Sequence, residues 1–219
     1  MRGGPLPLCH VRAQPRAPAV VLSEPGLLTF ATETTATIEV PDHETRGLDE
    51  WLLSEASDAV LLGTPGAERR DDGAWTVKQR PVNWLGLDVT PVFIEYIDRG
   101  LPTASLAVEV RESYMEVPPT SRGLNRMVAD VMGTAGVSGS SVVSWSRVDG
   151  AESKWHLTST TALTLSLNVR AGRGRRLVES AGSRIVRVTT SGRTEAYVRD
   201  ISAAYSAWAR CQTGDGASP

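Results

Sequence analysis

The sequence predicts an α+β domain in which a curved antiparallel sheet of about six to seven strands folds around one long C-terminal helix. Segments in which apolar and polar residues alternate follow one another from residue 36 to residue 169, and period two is typical of half-buried strands. From Leu177 the period changes to that of an amphipathic helix, and no proline falls before Gln212. Successive strands with a terminal helix favour an antiparallel sheet over a parallel one.

The domain is predicted to cover residues 34–210, after a disordered or targeting segment at 1–30 and before a disordered tail at 211–219. A chain of 219 residues suits one domain with a sizeable core. The net charge of −2 gives no electrostatic reason to bind nucleic acid, so no such partner is predicted. The longest apolar stretch, 19–30, is interrupted by polar residues, proline and glycine, so no membrane span is predicted.

The N-terminal segment has the composition of an organellar transit peptide. It contains arginines but no acidic residue before Glu24, and acid-poor, arginine-bearing leaders are typical of organelle import. The run Val11-Arg12-Ala13 resembles the cleavage signal of green-algal plastid precursors. The predicted location is therefore the chloroplast, in the stroma or at the thylakoid surface. A merely biased tail on a cytoplasmic protein is the alternative.

The elements follow one another in a simple order. Strict alternation at residues 36–40 predicts a strand, and an apolar stripe at Leu48, Trp51 and Leu52 then predicts one or two short helices. Residues 92–97 are apolar on both parities, which predicts a strand covered on both faces. The further strands are predicted at 75–80, 85–89, 104–110, 142–147 and 155–169.

The region from Met115 to Ser140 is ambiguous. Residues 124–132 suit either a strand or a short helix, and three glycines predict a flexible link after them. The final helix, starting at Leu177, would be ~33 residues and ~50 Å long. Its stripe includes Ile201 and Trp208, which we expect to bury against the sheet.

The longest predicted strand points to a ligand cavity. Its apolar row is interrupted by Ser159 and Thr161, and a buried hydroxyl without a partner costs about 1–3 kcal/mol. A cavity that holds water or the polar end of a ligand would remove that cost. The residues predicted to bind a ligand are Trp75, Val77, Leu106, Val108, Trp145, Trp155, Leu157, Ser159, Thr161, Leu163 and Leu165.

No catalytic, metal or cofactor site is predicted. The histidines and cysteines show no metal-ligand spacing, and no G-x-S-x-G nucleophile motif occurs. If the cavity were catalytic, Glu95 would be the best-placed carboxylate, because it lies on the strand that is apolar on both parities. Glu109 would need the polar face of its own strand to turn inward.

Two groups of residues have both a functional and a structural interpretation. Arg170, Arg173, Arg175 and Arg176 could contact anionic lipid headgroups as a peripheral membrane site, or form a solvated loop before the helix, which is the commoner case. The tryptophans on strands could line a pocket, whereas Trp51, Trp84 and Trp208 are expected to pack the core.

The chain resembles the START-like, or SRPBCC, superfamily from about Ala36 to Trp208. The similar segments are 80–92 (RPVNWLGLDVTPV), 155–169, 178–182 (VESAG) and 203–208 (AAYSAW). More narrowly, the chain is similar to a branch of unknown function found in cyanobacteria and plastids. The resemblance implies the helix-grip fold and an internal apolar cavity, and the branch has no catalytic motif to transfer.

The function expected from these features is non-catalytic binding of an apolar or amphipathic small molecule, such as a lipid, pigment or isoprenoid-like compound. Two alternatives remain open. The protein could be an assembly or scaffold factor that docks on a larger organellar complex, with a protein as its partner. It could also be a cyclase-type enzyme that uses the same pocket.

Overall fold

A large curved antiparallel sheet and a long C-terminal helix dominate the computed structural model, so the α+β prediction is confirmed. The structure describes residues 12–15, 19–24, 26–43, 46–64, 66–119, 123–148, 151–169 and 174–211. The strands are β1 (Arg12–Pro15), β2 (Ala19–Glu24), β3 (Leu27–Pro41), β4 (Glu68–Arg69), β5 (Trp75–Lys78), β6 (Val82–Trp84), β7 (Leu87–Asp98), β8 (Ser105–Glu116), β9 (Gly136–Val148) and β10 (Ala151–Asn168). The α-helices are α1 (Leu48–Leu53), α2 (Asp58–Leu61), α3 (Gly123–Met132) and α4 (Gly174–Cys211), and a 3-10 turn covers Glu55–Ser57.

The strands pair in the order β1-β3-β10-β9-β8-β7-β5-β4, with β2 also on β3 and β6 on β7. The described part of the chain thus forms a 10-stranded sheet, and the prediction of six to seven strands was too low. One reason is length: β4 has 2 residues and β6 has 3, too few to show a period of two. The segments predicted at 85–89 and 92–97 fall on one strand, β7, and β1 and β2 were not predicted.

The sheet begins earlier than residue 34. Strand β3 starts at Leu27, and both β1 and β2 pair with it, inside the segment that was predicted to be disordered or targeting. Residues 1–11, 16–18 and 212–219 lie outside the described residues, and Cys211, the first residue of the predicted tail, is the last residue of α4. The targeting role of the N-terminal segment stays a prediction.

The helices after β3 are held against the sheet by one arginine. Arg99 donates hydrogen bonds to the backbone carbonyls of Leu52 (3.1 Å) and Ser54 (3.0 Å), and its guanidinium also contacts the carboxylate of Asp58. Charge-assisted hydrogen bonds of this kind are stronger than neutral ones. They tie α1 and α2 to the end of β7.

The ambiguous region 115–140 resolves into a helix and a strand. Residues 123–132 form α3, and β9 already begins at Gly136, so the predicted flexible link was wrong. Gly139 lies inside this strand, where a Cβ atom would be 2.3 Å from the carbonyl oxygen of Ala162 and would clash with it. Glycine therefore permits a close approach between β9 and β10.

The interior has two apolar clusters. The filled end joins β3, β8, β9 and β10 to α1, α2 and the C-terminal part of α4, and contains the fully buried Trp51, Ile201 and Tyr205. The second cluster packs α3 and Val178 against β6, β7 and the far end of β10. Ile201 is buried as predicted, and Trp208 is half-buried. None of the described helices is long and apolar enough to cross a membrane.

Candidate functional site

A cavity of about 570 Å³ lies between the two apolar clusters, bounded by the sheet, α2, α3 and α4. Its volume falls in the range of small-molecule pockets, about 300–1,000 Å³. Most of the wall is apolar, with side chains from several strands and α3. Apolar residues of this wall are Trp84, Val89, Phe93, Val108, Val110, Met132, Val137, Leu163 and Leu165.

Glu95 is a buried carboxylate in this wall. The residue is 7% exposed, and its carboxylate makes no hydrogen bond or ion pair with any described residue. Burial disfavours the charged form and raises the pKa of Glu95 to about 7. Its neighbours Val92, Phe93 and Ile94 are buried too, which confirms that this strand is covered on both faces.

A β-bulge in β8 sets the surroundings of Glu95. Ile94 pairs with Glu112 but Glu95 pairs with Val110, so Arg111 is an extra residue in the ladder. The Arg111 guanidinium lies 4.2 Å from the ring centroid of Tyr96. Tyr96 follows Glu95 on β7 and so points to the opposite face of the sheet, and Arg111, which lies over its ring, is therefore on the other side of the sheet from Glu95.

Tyr197 of α4 forms the wall near Glu95. Its hydroxyl donates a hydrogen bond of 2.8 Å to the carbonyl oxygen of Leu61, which joins α4 to α2 at the edge of the cavity. Burial, and secondarily the charge of Glu95, raises the pKa of Tyr197. The hydroxyl therefore stays protonated, and its oxygen retains lone pairs that can accept a hydrogen bond.

The cavity rim is rich in cations. Burial of the Arg193 guanidinium lowers the pKa of Arg193, and the positive charge of Arg80 lowers it further. The Arg193 guanidinium also donates a hydrogen bond of 3.4 Å to the Oε1 atom of Gln79. Lys78, on the same rim, is paired with Glu116 at 2.5 Å. Asp200 is the acidic residue of the rim and is exposed.

The two hydroxyls that predicted a cavity have different surroundings. Thr161 lines the cavity, and its Oγ1 atom lies 3.0 Å from the Oγ atom of Ser141. Ser159 is 0% exposed, and its Oγ atom has no hydrogen-bond partner. The cavity therefore begins at Thr161 and does not reach Ser159.

The structure divides the predicted ligand-binding residues between the cavity and the filled end. Those that line the cavity are Val108, Thr161, Leu163 and Leu165. Those that belong to, or pack against, the filled end are Trp75, Val77, Leu106, Trp145, Trp155 and Leu157. The polypeptide from α1 to α2 fills the space in front of the second set.

Some residues of the site were not predicted as ligand contacts. Glu95 is predicted only for the catalytic alternative, and Tyr197 is not among the predicted ligand contacts. Trp84 was expected in the core, where it is 3% exposed, and it also lines the cavity. Arg193 gave no sequence signal, since it lies on the polar side of that stripe.

The basic run before α4 is only partly visible. Arg170 and Arg173 lie outside the described residues, as does the side chain of Arg176, and Arg175 is half-buried. Contact of this basic run with lipid headgroups stays a prediction.

A second polar cluster lies at the filled end. The carboxylate of Asp42 accepts a 2.8 Å hydrogen bond from the Trp155 indole and contacts Arg147. Tyr205 donates a 2.8 Å hydrogen bond to the carbonyl oxygen of Arg46. These contacts join α4 to the sheet, and they are structural. Among the described residues, no group of three or more His, Cys, Asp or Glu side chains could hold a metal ion.

Comparison with known proteins gives similarity of structure only. No family model matches the chain, and no curated protein does. A conserved protein from Geobacillus kaustophilus has a TM-score of 0.39 and 12% identity, over 78% of this chain and 92% of its own. An uncharacterised protein from Rhizobium leguminosarum has a TM-score of 0.36 and 13% identity, over 80% of this chain and 96% of its own. Matches at this level assign neither a superfamily nor a function.

Proposed function

We propose that the protein binds one apolar or amphipathic small molecule, such as a lipid, pigment or isoprenoid-like compound, without converting it chemically. The observation that carries this proposal is the cavity of about 570 Å³ with its mainly apolar wall. A cavity of this size left empty would forfeit the packing contacts that stabilise a core. A resident ligand would restore them.

The proposal includes the helix-grip fold of the START-like superfamily. Three features support it: short helices follow the first long strand, that strand β3 lies beside the last strand β10, and α4 closes the chain. The similar segments 155–169 and 203–208 fall on β10 and on the part of α4 that packs against the sheet.

A cyclase-type enzyme is the second candidate, and Glu95 is the observation that favours it. A carboxyl group with a pKa of about 7 suits general acid or base catalysis near neutral pH. Such chemistry usually needs a second titratable group beside the first. In the described part of the wall the other carboxylate is Asp200, which is exposed at the rim, so binding is the better supported function.

The test uses native mass spectrometry and tryptophan fluorescence. Protein purified gently from its own source should carry a bound apolar mass. In the recombinant protein, 1-bromododecane should quench Trp84, which lines the cavity. Leu163→Phe should weaken that quenching by filling the cavity, whereas Leu53→Phe, at a side chain that is 48% exposed, should not.

Failure of both measurements would reject the proposal. If neither a bound mass nor quenching is found and another protein co-purifies instead, the scaffold alternative replaces ligand binding. Steady conversion of the bound compound would favour the enzyme.

We keep the chloroplast as the proposed location, on the argument of the N-terminal composition. Intact-mass measurement of the native protein tests it. Cleavage near Val11-Arg12-Ala13 would retain β2, which pairs with β3, whereas cleavage near Ser23 would remove it. A native protein that keeps its first residues would contradict organelle import by a cleaved leader.

A further inference from the structure

We infer that the ligand of this cavity is an amphipathic amine, whose basic nitrogen pairs with the Glu95 carboxylate while its apolar part fills the rest of the cavity. This inference rests on the proposed function. Glu95 is 7% exposed, lies in the cavity wall and has no partner among the described residues. A buried charge is normally paired, because leaving it alone in an apolar environment is costly.

The fold removes the cation that would otherwise face Glu95. In a regular ladder the residue after Ile94 would pair with Arg111, and paired residues lie on the same face of a sheet. The bulge places Val110 opposite Glu95 instead, and Arg111 covers the ring of Tyr96 on the outer face. Among the described residues no positive charge lies beside Glu95, and we assign that position to the ligand.

The hydrogen-bonding groups around Glu95 also favour a donor. The hydroxyl hydrogen of Tyr197 is used on the carbonyl oxygen of Leu61, so its oxygen can only accept. An ionised Glu95 likewise has only acceptor atoms. An ammonium group offers several N–H donors as well as the charge, and charge-assisted hydrogen bonds are about twice as strong as neutral ones.

The remaining charged groups of the wall orient such a ligand. Among the described residues they are Lys78, Arg80, Arg193 and Asp200, all toward the rim, and Lys78 is already paired with Glu116. The two arginines repel a cation at the mouth, and Arg80 is exposed to solvent and salt there. The amine is therefore expected inside at Glu95, with the apolar part toward α3.

The experiment compares three probes of equal chain length below their micelle concentrations: dodecylamine, 1-dodecanol and dodecanoate. Affinities are measured by calorimetry at pH 8 for the full chain. The wild type should prefer the amine over the alcohol by about tenfold or more, as expected for one charge-assisted pair. Glu95→Gln should abolish that preference and change alcohol affinity by less than about threefold. Glu109→Gln, at an exposed carboxylate, should leave the preference intact.

A second measurement needs no variant. At pH 5.5 Glu95 is protonated, so the wild type should lose about tenfold or more of its affinity for the amine and little for the alcohol. Equal binding of amine and alcohol at pH 8 would overturn the inference while leaving the proposed function in place. A preference for dodecanoate that Arg193→Gln removes would also overturn it, and would assign recognition to the rim. Absence of binding by all three probes would reject both.

Discussion

The two halves of the interior are built from the same sheet and the same helix, yet one is filled and the other is hollow. At the filled end, α1 inserts Trp51 and Leu52 between the sheet and α4, next to Tyr205, and α2 adds Leu61. At the hollow end, the described residues place no comparable insertion in front of Leu163 and Leu165. Whether an inward apolar row becomes core or cavity wall therefore depends on what the rest of the chain places opposite it.

Strand β10 shows the transition within one row. Trp155 and Leu157 are buried in the filled end, Ser159 is buried with an unpartnered hydroxyl, and Thr161 and Leu163 line the cavity. Two successive hydroxyls of similar chemistry thus lie on opposite sides of the boundary. The difference between them is one of surroundings, and substitutions can measure it.

The largest expected effect is at the filled end. Ile201→Asp places an unpaired charge where the side chain is 0% exposed, and should cost about 4 kcal/mol or more, enough to unfold most of the protein. Thermal unfolding followed by circular dichroism measures it. Ala203→Asp, at an exposed position of the same helix, is the control and should lower the melting temperature little. Equal effects would mean that the stripe of α4 does not face a packed core.

At the hollow end the expected effect depends on pH. The folded-state pKa of Glu95, about 7, exceeds the ordinary value of 4.5, so the folded state holds the proton more tightly than the unfolded chain. The stabilising contribution of Glu95 to the free energy of unfolding is therefore fully present below about pH 4.5. It declines by about 3 kcal/mol as the pH rises to about 7, and then levels off.

Glu95→Gln should remove that decline, so that the variant matches the wild type near pH 4.5 and exceeds it by up to about 3 kcal/mol at pH 8. Urea titrations at several pH values measure the difference. Glu109→Gln is the matched control and should retain the wild-type slope. An unchanged slope in Glu95→Gln would show that solvent or a countercharge already reaches Glu95.

A smaller effect is expected from the polar cluster of the filled end. Tyr205→Phe removes the hydroxyl that bonds the carbonyl oxygen of Arg46 and accepts from the backbone N–H of His43. Leaving these groups unsatisfied should cost about 1–2 kcal/mol. Tyr114→Phe, at a side chain that is 50% exposed, should cost less than about 0.5 kcal/mol in the same urea titration. A neutral Tyr205→Phe would assign the anchoring of α4 to apolar packing alone.

The smallest effect compares the two hydroxyls on β10. Ser159→Ala removes a buried oxygen without a partner, so the free energy of unfolding should stay equal or rise by up to about 1 kcal/mol. Thr161→Val loses the contact with Ser141 and should lower it by about 0.5–1 kcal/mol. If Ser159→Ala lowered the free energy of unfolding and Thr161→Val did not, the cavity would extend to Ser159.

Local pattern predicted the elements better than the site. Alternation marked the middle of β3 and most of β10, and the period of α4 marked Ile201, because each depends on one face of one element. Strands β1 and β2 could not be predicted, since their pairing depends on a long partner strand that comes after them in the chain. The division of one row into core and cavity depends on α1 and α2, which the row itself does not encode.

The site shows the same limit. The sequence predicts a special position for Glu95 because its carboxylate interrupts an apolar strand, which is a local signal. Its proximity to Tyr197 joins residues about 100 positions apart, and only tertiary structure sets such a contact. On β8 the residues that face the cavity have even numbers before the bulge, Val108 and Val110, and an odd number after it, Met115. The bulge at Arg111 causes this change, and it explains why alternation predicted this strand only as far as residue 110, although β8 continues to Glu116.

In terms of chain length, β8 has one residue more than its ladder with β7 requires. Deleting Arg111 would leave Val110 opposite Glu95 and Glu112 opposite Ile94, so every neighbour would keep its face of the sheet. Deleting a paired residue such as Val108 would instead move the side chains on one side of the deletion to the opposite face of the sheet. A one-residue deletion in β8 is therefore expected to be tolerated better at Arg111 than at the paired residue Val108.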